Sequence, residues 1–308
     1  MYGAVAQSFP DIDFLAAAWS TPAENLLAHR GISHSLWASL AIAAVLTVAA
    51  VRWRPVSSIS WQRWFLFFWL QLSVHLGLDS LNAYGVGLLE PFHHHRFSAH
   101  VLYVADPLFL LPLAAGMVAL WVMRADVQRY RMAVVMVALS SAYLIYAVAN
   151  KVRVAHQVKS VLTTQHLGNH SYFTTPAPFN TWLWMVVVPD SAGIQVGYRS
   201  VFDGARPLVL TYFPRNDSLL QLAKDQPTVA LLKTFAMGVY TVEQRGDTLM
   251  FNIPRFGQVT GWHNGQQPFV FRYYLDQAEA NRLVMQRGRF ENWNAQTIAS
   301  FRRRIRGK

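Results

Sequence analysis

The 308-residue sequence has no cysteine, which excludes thiolate metal sites, disulfides and cysteine nucleophiles. Charge is scarce: 14% of residues are Asp, Glu, Lys or Arg, against about a quarter in soluble proteins. A signal peptide is not expected, because there is no basic leading region and Pro10, Asp11 and Asp13 interrupt the first apolar residues. What is plentiful is apolar: 53% of residues, with 11 Trp. That balance suits a membrane protein better than a soluble enzyme. Residues 1–150 carry eight Arg and seven acidic residues, whereas residues 151–308 carry most of the excess behind the net charge of +11. An anionic lipid surface is the expected partner of that basic half, and no nucleic acid is expected.

Four uncharged segments stand out: Ser35–Val51, Trp64–Leu78, Leu108–Met123 and Met132–Ala149. Flanking aromatic and Arg residues extend each toward the 20 or so residues of a spanning helix. Trp37, Trp53, Trp61, Trp64 and Trp121 lie near their ends, as interfacial Trp does. Arg52, Arg54 and Arg63 fill one short connection and Arg124, Arg129 and Arg131 the other, so both connections are expected to face the cytoplasm. Residues 1–34 and 79–107 then share the outer face. Lys151, Arg153 and Lys159, after the fourth segment, run against this orientation.

Beyond about residue 160 the pattern changes to short β-branched and aromatic runs, "TWLWMVVV", "GIQVGYRSVF", "PLVLTYF", "GVYTVEQ", "DTLMFNIP" and "PFVFRYYL". Pro, Gly, Asn and Asp separate them, as in hairpins. "DSLLQLAKD" and "TVALLKTFAMG" read as helical, and "FRRRIRGK" as a solvated basic tail. The fold expected is a membrane α-helical bundle of about four transmembrane helices over residues 1–155. A small α+β soluble domain of mostly antiparallel strands is expected over residues 156–308.

Seven of the eleven His fall between residues 29 and 100. Asp11 and Asp13, in "FPDID", can chelate a hard or borderline cation or simply cap a turn. His29 and His34 bracket Gly31 in "HRGISH" and are either ligands or interfacial residues. His75 and Asp79 stand at i and i+4, on one helical face, and such a pair at the end of an apolar helix is either functional or a hydrogen bond. "EPFHHHRFSAH" supplies His93, His94, His95, Arg96 and His100, of which His93 and His94 read as a surface metal trap. Asp106 precedes Pro107 and can cap a helix or serve as a buried acid.

The combination says more than any member. Separate segments bring three His and up to four carboxylates to one membrane face, while the other face holds only Arg connections. Ligands of this kind, without sulfur, suit zinc, and also manganese, iron or nickel. The number of candidates allows one ion or two, with metal-activated water as nucleophile. Arg30 and Arg96, beside these motifs, are candidate contacts for an anionic group of the substrate.

"FPDID", "HRGISHS", "HLGLDSLNAYG", "PFHHHRFS" and "DPLF", in this order between apolar spans, resemble the YdjM/YfhO family of membrane-bound hydrolases predicted to depend on a metal. They are also described as LexA-binding and associated with the inner membrane. "TPAPFNTWLW", "GYRSVFD" and "RFG" resemble the longer members. The resemblance implies that Asp11, Asp13, His29, His34, His75 and Asp79 form the metal site. It also implies a multi-pass protein of the bacterial inner membrane. Members carry an apolar helix ahead of the aspartates, of which only a few residues are present here. The function expected is hydrolysis of an ester or phosphoester, lipid-derived or otherwise amphiphilic, at the outer interface, with the C-terminal domain on the same side. Asp13 or Asp106 would accept the proton. A non-enzymatic metal-binding or transport protein, or an anchored interaction module, stands as the alternative.

Overall fold

The computed structural model describes residues 2–53, 59–168, 170–281 and 291–308. Its helices are α1 (Tyr2–Ser8), α2 (Pro22–Ala28), α3 (Leu36–Trp53), α4 (Trp61–Asp79), α5 (Pro107–Val122), α6 (Asp126–Thr164), α7 (Gln226–Ala236) and α8 (Ala295–Ile305). Its strands are β1 (Phe173–Pro176), β2 (Leu183–Pro189), β3 (Gly193–Ser200), β4 (Thr211–Pro214), β5 (Thr241–Arg245), β6 (Thr248–Asn252) and β7 (Arg272–Tyr274). Two compact units interleave along the chain, where the sequence suggests a single division near residue 155. The first comprises Met1–Ala99, Asp217–Phe251 and Tyr273–Val284; the second comprises His100–Asn216, Asn252–Arg272 and Met285–Lys308.

In the first unit, α3 and α4 pack through residues repeating every three or four positions, so that each stripe lies on one helical face. Ser39, Ala43, Thr47 and Ala50 line α3, and Trp64, Phe68, Leu72 and Leu76 line α4. Ala6 of α1 completes this cluster. Small residues on α3 facing large ones on α4 let the helices interdigitate. The opposite flank of α4 leaves Leu66, Phe67, Trp69, Leu70 and Val74 exposed. Two 3-10 helices, Pro10–Ala18 and Ile32–His34, and the short α2 sit at the end of α4 that carries Asp79. From later in the chain, α7 packs on α2. The sheet β5-β6-β7 follows it, its β5–β6 turn using Gly246 at φ +57°.

In the second unit, α5 and α6 pair, with Gly116 against Met136 so closely that a Cβ at Gly116 would come within 2.9 Å of that side chain. Alternate β2 residues Trp184, Val186 and Val188 bury against Val154, Val158 and Leu162 of α6. On the other β2 face, Leu183 meets Trp262 and Phe301. The four-stranded sheet is antiparallel in the order β1-β2-β3-β4. The antiparallel sheet expected from the short β-branched and aromatic runs is therefore present, with the addition of β1.

Three details depart from expectation. Helix α6 does not stop near Ala149 but runs on to Thr164, 39 residues in all, a rod about 58 Å long at 1.5 Å per residue. Its apolar stripe passes from the span-like segment into the sheet's core. "FRRRIRGK" is not a solvated tail throughout: Phe301 is buried in α8, and Arg304 makes a bidentate ion pair with buried Asp203 at 2.6 and 2.7 Å. Among the described residues two helices, α3 and α6, are long and apolar enough to cross a membrane by length and composition, where four were expected. Helix α5 has only 16 residues, and α4 alternates its apolar residues with Gln62, Arg63, Gln71 and His75. Arg54 lies outside the described residues.

The Asp203–Arg304 pair gives a stability prediction. Removing one partner of a buried pair strands the other charge, at a cost of about 3–5 kcal/mol. Arg304→Ala, which strands the buried Asp203 carboxylate, is expected to lower the unfolding midpoint of the full chain in detergent well below that of a surface change such as Glu243→Ala. Equal midpoints for the two variants would show that the pair contributes little.

Candidate metal centre

Helix α4 presents His75 and Asp79 one turn apart at its end. The 3-10 turn Ile32–His34 drives His34 into full burial against them. The 3-10 helix Pro10–Ala18 brings Asp11 to the same point. A 3-10 helix turns about 120° per residue, so Asp11 and Asp13, two apart, project in different directions. Asp11 faces His75 and the Nε2 side of His34, whereas Asp13 lies on the Nδ1 side of His34.

Asp11, His34, His75 and Asp79 each place one ligand atom within 4.8 Å of all the others. Five of the six separations are resolved individually. The two Nε2 atoms are 3.2 Å apart. Asp79 Oδ2 is 3.4 Å from His34 and 3.5 Å from His75. Asp11 Oδ1 is 3.6 Å from each imidazole. A tetrahedron with arms of about 2.1 Å, typical of zinc with nitrogen and oxygen ligands, has edges of about 3.4 Å. The buried Asp79 Oδ2 has no hydrogen-bond partner, although a buried carboxylate oxygen normally has one. Two nitrogens facing each other and an orphaned anionic oxygen fit a bound cation. Asp11, 54% exposed against 0–17% for the other three side chains, is the open limb.

Behind the four lies a layer that orients them. The Asp13 carboxylate, buried at its side chain, meets His34 Nδ1 at 3.3 Å, Ser33 Oγ at 3.1 Å, the Arg30 backbone N–H at 2.7 Å and His29 Nδ1 at 3.1 Å. A carboxylate only accepts, so the His34 proton sits on Nδ1 and its Nε2 lone pair points at the other ligands. Burial would raise the Asp13 pKa, but hydrogen bonds from His29, His34 and Arg30 hold it well below the ordinary carboxylate range. For His34, burial favours the neutral ring; the neighbouring Asp13 and Asp79 carboxylates outweigh it and raise the pKa. Arg30 clamps Asp79 Oδ1 at 3.0 Å and Asn82 Oδ1 at 3.1 Å, with its guanidinium 5.6 Å from the Tyr84 ring.

Of the six residues expected at the metal, the structure thus brings four together, and Asp13 and His29 pair with each other behind them. Arg30 is engaged with Asp79. Arg96 is not open to an anion: its guanidinium is buried and donates to the carbonyls of Leu26, Leu27 and His29. Asp106 belongs to the other unit, where it caps α5 through Leu108 N at 3.0 Å and accepts from Tyr143 at 2.9 Å. Burial pushes its pKa up. Ser35 caps α3 through Ala38 N, and His93, His94 and His95 are exposed. Sequence reasoning passed over Asn82, whose side-chain oxygen bridges Arg30 and the Tyr84 backbone. It also passed over Glu90, which holds His94 Nδ1 at 2.9 Å from both carboxylate oxygens. Asn82 stands in the quoted "HLGLDSLNAYG", but nothing in its spacing marks it.

The described residues combine a helical N-terminal region holding two candidate spans, antiparallel sheets, and two His and two Asp at metal-binding separation. A family model, YdjM inner membrane protein, matches residues 1–154, half of the chain, and the chain belongs to that family. It is also 31% identical over 99 residues to inner membrane protein YbcI of Escherichia coli (strain K12). That match takes in 32% of this chain and 56% of YbcI, so the chain spans about half the length of that relative. No solved structure matches the chain. The inner membrane is accordingly its location.

Because the folded Asp13 pKa is depressed, the stability it contributes is complete above the ordinary value of 3.8 and declines as pH falls below it. Metal-free Asp13→Asn should melt below the parent protein at pH 7, and the gap should shrink in scans below pH 3.8. A gap that stayed constant with pH would remove the carboxylate's charge from the explanation.

Proposed function

We propose that this protein is a multi-pass inner-membrane, metal-dependent hydrolase that cleaves an ester or phosphoester of an anionic, amphiphilic substrate at the outer interface. The observation that carries the reading is the near-tetrahedral set of His34, His75, Asp11 and Asp79 atoms, with a buried Asp79 oxygen left unpartnered.

The exposed apolar flank of α4 supports a third span, and α5, whose Leu110, Leu111, Met117, Val118 and Trp121 are exposed, a fourth. The orientation rests on Arg52, Arg63, Arg124, Arg129 and Arg131 facing the cytoplasm. Lys151, which counted against it, is no loop charge: its ammonium donates to the Thr174 carbonyl at 2.6 Å and hydroxyl at 2.8 Å. It lies over the Trp184 ring.

His34 and His75 would hold the ion through Nε2, and Asp11 and Asp79 through one oxygen each. When bound, a divalent ion supplies Lewis acidity for attack by water on the ester; zinc fits four nitrogen and oxygen ligands, with manganese, iron and nickel as rivals. Asp13 keeps the proton of His34 on Nδ1. Its hydrogen bonds leave it a weak base, so the half-exposed Asp11 carboxylate is the better acceptor for a proton from water. Arg30 fixes Asp79 and sets a positive charge beside the site, which favours an anionic substrate. The interfacial position, with Trp37 and Phe92 exposed and in edge-to-face contact nearby in the chain, favours an amphiphile.

Metal analysis of detergent-purified protein tests this first. The parent chain should carry metal, and His34→Ala and Asp79→Asn should each lose it; full stoichiometry in both variants would sink the ligand assignment. Phosphoesters and phospholipids are then assayed with the metal found. Turnover of at least one, abolished by His34→Ala, is expected. No turnover above the metal-free protein would leave a metal-binding protein without hydrolase activity.

A further inference from the structure

Arg96 touches none of the four ligand residues, yet its guanidinium reaches toward them through the backbone. The last carbonyls of a helix have no partners inside it, and Nη2 of Arg96 donates to those of Leu26 and Leu27 at the end of α2, at 3.0 and 2.9 Å. The same nitrogen donates to the His29 carbonyl at 2.7 Å. That carbonyl and the Arg30 N–H belong to one peptide unit, and the Arg30 N–H donates to Asp13 Oδ2 at 2.7 Å. A peptide unit is planar, so fixing its oxygen from one side aims its N–H on the other. Arg30 itself has φ +56°, an uncommon conformation for a residue with a side chain. Its carbonyl is held in turn by the Gly87 N–H at 2.9 Å. Asp13 then meets His34 Nδ1 at 3.3 Å. The chain of contacts is Arg96, the His29–Arg30 peptide, Asp13 and His34.

The other face of Arg96 is covered from a distant part of the sequence. Its guanidinium carbon stands 5.1 Å from the centre of the Phe235 ring, which is buried on α7. Stacking of this kind favours Arg over Lys, because a planar guanidinium can lie on a ring while its edge donates. Helix α7 lies outside residues 1–154, the part matched by the family model. Both contacts lie within the first compact unit.

We infer that Arg96, seated on Phe235, is a positioning residue for the metal centre, so that α7 of the C-terminal half sets how well the N-terminal residues hold a cation. The inference rests on the metal-centre reading and extends it to residues that touch no ligand.

Cobalt(II) is the probe, titrated into the metal-free full-length protein in detergent, because its visible absorption reports ligand geometry independently of stability. Changing a residue that orients a ligand typically weakens metal binding about 10–100-fold. Arg96→Lys, which keeps the charge and loses the planar fork, is expected to bind Co(II) at least about tenfold more weakly, with altered absorption bands. Phe235→Leu keeps most of the volume and removes the ring; it should shift both readouts in the same direction by less. Val186→Ala, in the cluster that packs β2 on α6 in the second unit, is the control for general destabilisation: its melting point should fall while affinity and bands stay those of the parent. If the parent binds Co(II) while Arg96→Lys and Phe235→Leu bind it with unchanged affinity and superposable bands, the positioning role is overturned and the metal centre stands. If the parent binds no Co(II), both are overturned.

Discussion

The Asp13 carboxylate is the contact on which the rest of the site depends. A buried charge is tolerated only when donors replace its water, and here the donors come from three consecutive stretches of chain: His29 at the end of α2, the Arg30 N–H after it, and Ser33 with His34 in the next turn. Satisfying one anion therefore folds residues 29–34 around it. His34 is held by Nδ1, and its other nitrogen is left facing His75 and Asp79. Ser33 Oγ, 2.9 Å from His34 Nδ1 and itself donating to Asp13, ties the same ring nitrogen to that carboxylate.

The remaining ligands are stiffened by other means. His75 and Asp79 ride on α4, whose buried stripe locks against α3 and α1. Arg30 takes one oxygen of Asp79 and leaves the other toward the imidazoles. Asp11 alone is half exposed, which gives the group three walls and a mouth. A group already assembled in this way would need little reorganisation to hold a cation.

Much of this was legible in the chain. The i, i+4 spacing of His75 and Asp79 survives because both lie on a regular helix. The β-branched and aromatic runs of the C-terminal half became β2 to β7, and "TVALLKTFAMG" became α7. The misses have physical reasons. Strand β1, "FTTP", carries too few apolar positions to announce itself. Helix α6 runs past Ala149 because Asn150, Val154, Val158 and Leu162 continue one helical face, a stripe that the basic residues between them disguise. Arg96 reads as an anion contact among histidines, and only the carbonyls of α2 and the Phe235 ring account for its burial.

By itself the sequence determined the membrane character of the protein, its antiparallel sheet and its family, because apolar runs, alternation and short motifs are local properties of the chain. It also set the pool of His and Asp from which a metal centre could be drawn. The tertiary structure decided how that pool divides: Asp11 into the ligand group and Asp13 behind it, His34 inward and His29 toward its carboxylate. It also decided that α7, far along the chain, belongs to the unit that holds the site. Those outcomes depend on the turn of a 3-10 helix and on which donors meet a buried anion, and neither is written in residue spacing.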